Sequence, residues 1–260
     1  MLTEQTELII REAGRMIRSE DPHDAESKEG HANFVTSTDK RVQAFLREQL
    51  PKTVPGSRFI GEEGESMALT DDPTWIVDPV DGTTNLIHDY RHSAVSVALA
   101  VKKEPVLGLV YQPYTDELFR AEKGKGACLN GKPIRVSGTG MDRALVLFGT
   151  SPYNPQKAGT SLKTALKYLL TCADIRRSGS AALDLCYVAC GRAEVFFELE
   201  LKPWDVAAGA LLVTEAGGIF RMPLNDRGVC FEGTNAVFAS NSACASAALN
   251  IMTTTVQEQG

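Results

Sequence analysis

The sequence is poor in the features that mark secreted, membrane-bound and nucleic-acid-binding proteins. Its six cysteines include no CxxC pair, which argues against a zinc site or a disulfide framework and favours a reducing, cytoplasmic location. The opening stretch MLTEQTELIIREAGR lacks a signal-peptide core, and no apolar run reaches the length of a membrane span. The net charge of −6 argues against wide contact with a nucleic-acid backbone. These absences predict a soluble cytoplasmic protein without a membrane or nucleic-acid partner.

The hydrophobic pattern mixes helices and strands along the whole chain. An amphipathic helix is expected to open the chain with Thr3 as its N-cap, and a second helix is expected over about residues 38–50. Residues 93–135 read as short strands separated by turns, and Asn130-Gly131 is typical of a tight hairpin. After about residue 145, strands alternate again with helices, whereas the tail TTTVQEQG is expected to fray. This mixture favours layered sheets and helices over a simple doubly wound fold.

The length of 260 residues fits one large domain or two intimately packed halves. We expect a single domain over residues 1–260, with halves of roughly 1–140 and 141–260. A hydrophobic share of 43% is ordinary for a globular protein. A chain of this length can bury enough surface to fold without a disulfide or a metal, so any metal site is expected to serve function.

The strongest chemical signal is WIVDPVDGTTN at residues 75–85. An apolar strand delivers the carboxylates of Asp78 and Asp81 three residues apart, and Gly82 then precedes a predicted helix. Magnesium prefers carboxylate, carbonyl and water oxygens, and the backbone amides at a helix start point at an anion. The combination is typical of a phosphoryl-transfer site. The alternative interpretation is a helix after a turn, with Asp81 as its N-cap.

Three further acids stand at the ends of predicted elements. Glu62 follows the apolar run RFIG, Asp205 begins a helix in KPWDVAAG, and Asp39 follows the TST of TSTD. Taken alone, each of these acids also has an ordinary structural interpretation. Glu62 would be a solvated loop residue, Asp205 an N-cap, and Asp39 a first-turn carboxylate favoured by the helix dipole.

Taken together, these segments resemble the inositol monophosphatase family of magnesium-dependent, lithium-sensitive phosphatases. The resemblance runs from NFVTSTDK at Asn33 to VTEAGG at residues 213–218, and its most specific stretches are WIVDPVDGTTN and KPWDVAAG. RRSGSAALDLCYVACGRAEVFFE is also similar to bacterial members. The resemblance implies an α+β fold, a layered αβαβα sandwich of the sugar-phosphatase type, and a homodimer. One departure is Tyr90-Arg91-His92, which replaces a Phe-Pro-Phe-like run of many relatives.

The resemblance also implies roles for individual residues. Two magnesium ions, with Asp39 near a weaker third, would be held by Glu62, Asp78, the carbonyl of Val80, Asp81 and Asp205. The implied catalytic residues are Glu62, Asp78 and Thr83, with Thr83 working beside Glu62 to activate water. The implied substrate-binding residues are Val80, Asp81, Gly82, Thr83, Gly179, Ser180, Ala181, Glu198 and Asp205. Lys28 resembles a basic residue of the family's N-terminal loop.

These roles predict hydrolysis of a small phosphate ester, most simply inositol monophosphate or a related polyol or sugar phosphate. Two metals would activate water and stabilise the leaving alkoxide, so the chemistry needs no Cys or His nucleophile. Lithium is expected to inhibit. Alternatives on the same fold are a fructose-1,6-bisphosphatase, a nucleotide 3′-phosphatase and a histidinol-phosphate phosphatase. A non-catalytic binding protein is less favoured, because every implied ligand position carries a competent acid.

Overall fold

A computed structural model describes residues 2–19, 26–27, 34–64, 68–225 and 228–258. The helices in this part of the chain are α1 (Leu2–Ser19), α2 (Ser37–Thr53), α3 (Thr83–Ile87), α4 (Pro155–Leu169), α5 (Ala181–Ala189), α6 (Pro203–Glu215) and α7 (Ala245–Gln257). The strands are β1 (Glu26–Ser27), β2 (Phe34–Val35), β3 (Arg58–Gly61), β4 (Thr74–Asp81), β5 (Ala94–Val101), β6 (Glu104–Gln112), β7 (Glu117–Glu122), β8 (Gly126–Leu129), β9 (Lys132–Ile134), β10 (Leu145–Phe148), β11 (Asp174–Arg176), β12 (Val195–Leu201), β13 (Ile219–Arg221) and β14 (Asn235–Ser240). Among the described helices, none is both long and apolar enough to cross a bilayer.

Two mixed sheets contain the strands from β3 to β14, and β1 and β2 form a separate antiparallel pair. The larger sheet has the order β3-β4-β5-β6-β7-β8-β9 and is antiparallel except for the β3–β4 pair. The smaller sheet has the order β11-β10-β12-β14-β13, with β10 parallel to both of its neighbours. Asn130 and Gly131, at φ of 48° and 76°, form the two-residue connection between β8 and β9, so the predicted hairpin is confirmed.

Helices cover both faces of each sheet and produce five layers. Helices α1 and α2 pack on the outer face of the larger sheet, with Ile10, Ile17 and Leu46 in the core that they share with it. Helices α5 and α6 lie between the sheets, and α4 and α7 cover the smaller sheet on its other face. The apolar strands are buried because each is covered in this way. The expected α+β fold, a layered αβαβα sandwich, is confirmed.

Two local expectations are wrong, and both errors have a tertiary cause. Thr3 lies inside α1, where its hydroxyl donates to Glu122 Oε1 at 2.9 Å. The tail is helical through Gln257, because Met252 and Thr255 are buried against the smaller sheet and its outer helices. Packing of this kind stabilises helices whose own sequence is a weak helix former.

The expected division into halves near residue 140 stays a prediction. The larger sheet ends at Ile134 and the smaller one begins at Leu145. Apolar residues of both sheets and of the two central helices belong to one core cluster, which includes Ile76, Leu185 and Phe196. Such a shared core is what a single domain requires.

Candidate active site

The end of β4 brings two of the predicted acids together. Every residue of this strand is buried, and a register shift against β5 falls between Asp78 and Asp81. The Val80 N–H donates to Asp78 Oδ1 at 2.9 Å, which fixes that carboxylate and orients its second oxygen. The irregularity of the strand therefore allows both acids to reach the same site.

The start of α6 delivers the third acid from a distant part of the chain. Asp205 is the third residue of this helix, and its Oδ2 accepts the Lys202 N–H at 2.7 Å. One carboxylate oxygen from each of Asp78, Asp81 and Asp205 lies within 4.8 Å of the other two. The predicted combination of these three acids is thus present in the fold.

The electrostatics of this cluster are unfavourable without a cation. Burial raises the pKa of Asp78 well above its usual range, and the charges of Glu62 and Asp81 raise it further. Burial also raises the pKa of Asp81 to about 6, and burial with the Asp81 charge raises the pKa of Asp205. Carboxylates that repel one another at low dielectric are held together at neutral pH by a bound cation. An all-oxygen donor set of this kind fits magnesium, so the cluster can hold a metal.

Glu62 and Val80, the two remaining predicted metal ligands, line the same cavity as the three aspartates. Glu62 follows β3, its N–H donates to the Val77 carbonyl at 3.2 Å, and its side chain lines the same cavity as the three aspartates. Within the described residues, the close group of ligand oxygens contains only the three aspartates. After burial, the charge of Glu62 contributes to the raised pKa of Asp78.

Asp39 accepts hydrogen bonds from Thr36 and Thr83 and does not belong to the group of three aspartates. Its Oδ2 accepts the Thr36 N–H at 2.9 Å and the Thr36 hydroxyl, in a capping box at the start of α2. Its Oδ1 lies 3.0 Å from the Thr83 hydroxyl, which is also 3.2 Å from the Val80 carbonyl oxygen. The structure therefore connects Asp39 to Thr83. A role for Asp39 near a third metal stays a prediction.

The turn after β4 requires glycine at position 82. Gly82 has a φ of 94°, which residues with a side chain rarely adopt. A Cβ atom there would lie 3.0 Å from the His92 carbonyl oxygen and 3.2 Å from that of Gly179. The close packing places the start of α3, with Thr83, beside the acids.

The other predicted substrate residues come from the second half of the chain. Ser180 caps α5, and its hydroxyl donates to Asp81 Oδ2, which also accepts the Ala182 N–H at 2.8 Å. Gly179, Ser180 and Ala181 line the cavity. The turn before α5 is thus bonded directly to a predicted metal ligand.

Glu198 lies in β12 and faces the same cavity, although it is almost fully buried. Its Oε1 accepts the Ser151 N–H at 2.9 Å and lies 3.2 Å from the Ser151 hydroxyl. Burial raises the pKa of Glu198 to about 7. A Cβ atom on Gly149 would lie 1.8 Å from Glu198 Oε2, so the carboxylate needs a glycine beside it.

The sequence analysis missed several residues that line the cavity, among them Tyr153, Arg177 and Asp184. Asp184 is buried in the first turn of α5 and accepts the Ser178 hydroxyl at 2.6 Å, and an acid in an otherwise apolar helix was an available signal. Arg177 is exposed, and its charge acts on both Asp81 and Glu198. Tyr153 carried no motif that could have found it. Lys28 lies outside the described residues.

Known proteins are similar to this chain in both sequence and fold. The sequence model of the inositol monophosphatase family matches residues 1–258. Inositol monophosphatase 2 of Solanum lycopersicum is 44% identical over 214 residues, covering 75% of this chain and 76% of the relative. The Nus factor SuhB of Escherichia coli is also 44% identical over 214 residues, covering 80% of each chain.

Solved structures give the same result. The IMPase of Thermotoga maritima superposes with a TM-score of 0.86 at 28% identity, covering 98% of each chain. The extragenic suppressor protein suhB of Bartonella henselae gives a TM-score of 0.85 at 33% identity, covering 97% of each chain. The chain therefore belongs to the inositol monophosphatase family, whose members are phosphoric monoester hydrolases.

Proposed function

We propose that this protein hydrolyses the phosphate monoester of a polyol or sugar, with inositol monophosphate as the first candidate, in a magnesium-dependent reaction. The observation that carries the proposal is the cluster of Asp78, Asp81 and Asp205, whose ligand oxygens lie within 4.8 Å of one another and of which the first two residues are buried. A purely structural domain has no use for three clustered carboxylates that repel one another. A phosphatase uses them to hold the cations that neutralise a phosphate group.

The metal ligands in this proposal are Glu62, Asp78, the Val80 carbonyl, Asp81 and Asp205. When bound, magnesium supplies positive charge to the phosphate oxygens and lowers the pKa of water. Backbone N–H donors hold one oxygen of each aspartate, so the second oxygens are oriented before a ligand arrives. Preorganised carboxylates need little rearrangement during the reaction.

Glu62 and Thr83 have the roles closest to the attacking water. The Thr83 hydroxyl donates to Asp39 Oδ1 at 3.0 Å. This hydrogen bond fixes the orientation of the hydroxyl, so that its oxygen can accept a hydrogen bond from the water and position it. The Glu62 carboxylate accepts the proton that the water loses. The amides of Gly82 and Thr83, at the start of α3, donate to phosphate oxygens.

The leaving group lies on the side of the cavity formed by the second half of the chain. Glu198 accepts hydrogen bonds from substrate hydroxyls, and the segment Gly179–Ala181 borders the ring. The Ser151 N–H fixes Glu198 for this purpose at 2.9 Å. Because a carboxylate binds an ammonium as readily as a hydroxyl, histidinol phosphate remains an alternative substrate.

The test is phosphate release by the purified protein in the presence of magnesium. The panel contains inositol 1-phosphate, glycerol 2-phosphate, fructose 1,6-bisphosphate, histidinol phosphate and adenosine 3′,5′-bisphosphate, with Asp78→Asn as the inactive control. We expect turnover that requires magnesium, is lost in the variant and falls as lithium is added. A folded protein that binds magnesium and releases phosphate from none of these compounds would contradict the proposal.

A second candidate function is that of a Nus factor, because bacterial relatives at 44% identity are named Nus factor SuhB. A binding function of this kind would not need the three aspartates. The two functions are separated by an experiment in Escherichia coli in which SuhB is replaced either by the wild-type form of this protein or by its Asp205→Asn variant. Equal replacement by both proteins would support a binding role that is independent of hydrolysis.

The proposal includes a homodimer in the cytoplasm. Four leucines on α4 and directly after it are exposed at helical spacing: Leu162, Leu166, Leu169 and Leu170. An apolar stripe of this kind is suited to burial against a second copy. All six cysteines are unpaired, as expected in a reducing compartment. Light scattering of the wild type and of Leu166→Arg tests the dimer, and a wild-type monomer would contradict it.

A further inference from the structure

The loop between β10 and α4 is fastened to β12 by two glutamates. Ser151 binds Glu198 through its backbone N–H at 2.9 Å, and the Asn154 side-chain amide donates to Glu200 Oε2 at 2.6 Å. The Asn154 N–H also donates to the Ser151 carbonyl at 2.8 Å. Ser151 itself is fully buried at a φ of 44°, a conformation that persists only when its surroundings determine it. The loop is therefore held in one shape although it lies at the protein surface.

This loop carries Tyr153 to the mouth of the cavity. The ring lines the same cavity as the acid cluster, while 45% of the residue remains exposed. Burial of the hydroxyl and the charges of Asp205 and Glu198 raise the pKa of Tyr153, so the hydroxyl stays protonated beside those acids. Tyr153 thus forms part of the cavity wall at its solvent-exposed rim.

The cavity combines two kinds of lining. Tyr153, Pro152 and Phe148 contribute apolar surface, and Glu198 and Ser180 contribute polar groups that can bind hydroxyls. A ring that carries hydroxyl groups around its edge and C–H groups on its faces matches such a lining, because each part meets a partner of its own kind. Binding sites commonly use an aromatic wall with a few convergent polar groups in this way.

We propose that Tyr153 is a specificity-determining residue that packs against the ring face of a cyclic polyol or sugar phosphate. The proposal rests on the phosphatase function above and narrows its substrate class. The Tyr153 ring contacts C–H groups of the substrate while Glu198 accepts its hydroxyls. A short acyclic ester such as glycerol 2-phosphate places the same phosphate at the acids but leaves the Tyr153 ring without a partner.

The test compares inositol 1-phosphate with glycerol 2-phosphate in Tyr153→Ala and Tyr153→Phe. In Tyr153→Ala we expect the KM for inositol 1-phosphate to rise about tenfold, with kcat within about twofold. The kcat/KM for glycerol 2-phosphate should change by less than about twofold. Tyr153→Phe keeps the ring and should keep the wild-type preference for the cyclic substrate. Equal losses on both substrates, or an unchanged preference in Tyr153→Ala, would overturn the proposal.

The matched control is Tyr90→Ala. Tyr90 is 65% exposed and does not line this cavity, so its replacement should leave the substrate preference unchanged. Thermal melting of each variant shows that folding is intact. A change of preference in Tyr90→Ala as large as that in Tyr153→Ala would remove the assignment to Tyr153.

Failure of the phosphatase function gives a different result. If the wild type hydrolyses neither ester, the function above is wrong, and calorimetric binding of the same two esters then decides the role of Tyr153. Tighter binding of inositol 1-phosphate that is lost in Tyr153→Ala would support it. Equal binding of the two esters by the wild type, or binding of neither, would overturn it.

Discussion

The N-termini of α2 and α6 have the same local design and different surroundings. In each helix an aspartate at the third position, Asp39 or Asp205, accepts the N–H of the residue three positions earlier. Asp39 is then enclosed by hydrogen-bond donors of Thr36 and Thr83. Asp205 is instead enclosed by other carboxylates. A local capping motif therefore does not decide whether an acid serves stability, positioning or metal binding.

The electrostatics of the two aspartates show the same difference. Burial raises the pKa of both, but hydrogen bonds from Thr36 and Thr83 oppose the shift at Asp39. At Asp205, the charges of Asp81 and Glu62 add to it. The pKa of both carboxylates is raised, but hydrogen bonds stabilise the charged form of Asp39, whereas neighbouring charges make the charged form of Asp205 more dependent on a cation.

The largest effect is expected for Asp205→Asn. Loss of a metal ligand should lower kcat/KM on inositol 1-phosphate by about 10³-fold and abolish the increase in Tm that magnesium produces. Without magnesium, the variant should be at least as stable as the wild type, because one of several repelling charges is removed. The control is Asp142→Asn, in a short 3-10 helix away from the cavity. Turnover within tenfold of the wild type would contradict the assignment.

The next largest loss of activity is expected for substitutions of Asp39 and Thr83. Asp39→Asn and Thr83→Val should each lower kcat by about 10²-fold, with an unchanged magnesium requirement, because both disturb the hydroxyl to which the proposed function assigns the positioning of water. The double variant should be little worse than either single one, since the two residues act as a unit. Weaker magnesium binding in Asp39→Asn but not in Thr83→Val would instead place Asp39 at a metal.

The pH dependence of stability tests the acid cluster without a catalytic assay. The folded pKa of Asp81, about 6, exceeds its ordinary value of 3.8. Its contribution to stability is therefore present below pH 3.8 and is lost as the pH rises through about 6. We expect the unfolding free energy of the magnesium-free protein to fall by about 1–3 kcal/mol between pH 4 and 7. Magnesium at pH 7 should restore most of this loss.

Glu198 titrates in an overlapping range, since its folded pKa is about 7. The Glu198→Gln variant removes its contribution and should retain the part of the pH effect that magnesium reverses. Denaturant titrations at several pH values measure both parts. A magnesium-free protein whose stability rises from pH 4 to 7 would contradict the arrangement of the acid cluster.

The smallest effect is expected at the N-caps themselves. Thr36→Ala removes a side-chain acceptor that caps α2 and should lower stability by about 1 kcal/mol. Lys202 contributes its backbone N–H to α6, and that helix has no side-chain cap, so Lys202→Ala should change stability by less than about 0.5 kcal/mol. Equal losses in the two variants, measured by denaturant unfolding, would show that the two caps are alike.

Most of the fold could be predicted from the sequence because its signals are local. Apolar residues at helical spacing indicated the first helices, and Asn130-Gly131 indicated the hairpin. The two errors concern Thr3 and the C-terminal tail, where contacts with other parts of the chain outweigh local preference. The layer order followed from the family resemblance, since the way in which sheets stack depends on contacts between distant segments.

Which acids stand at the ends of elements could be read from the sequence, since strand ends and helix starts have short-range signatures. The meeting of Asp78, Asp81 and Asp205, the hydrogen bond between Asp39 and Thr83, and the place of Tyr153 in the cavity wall became known only from the folded chain. Burial and neighbouring charge set the role of a carboxylate. Both depend on which distant segments pack together, and no short-range pattern contains that information.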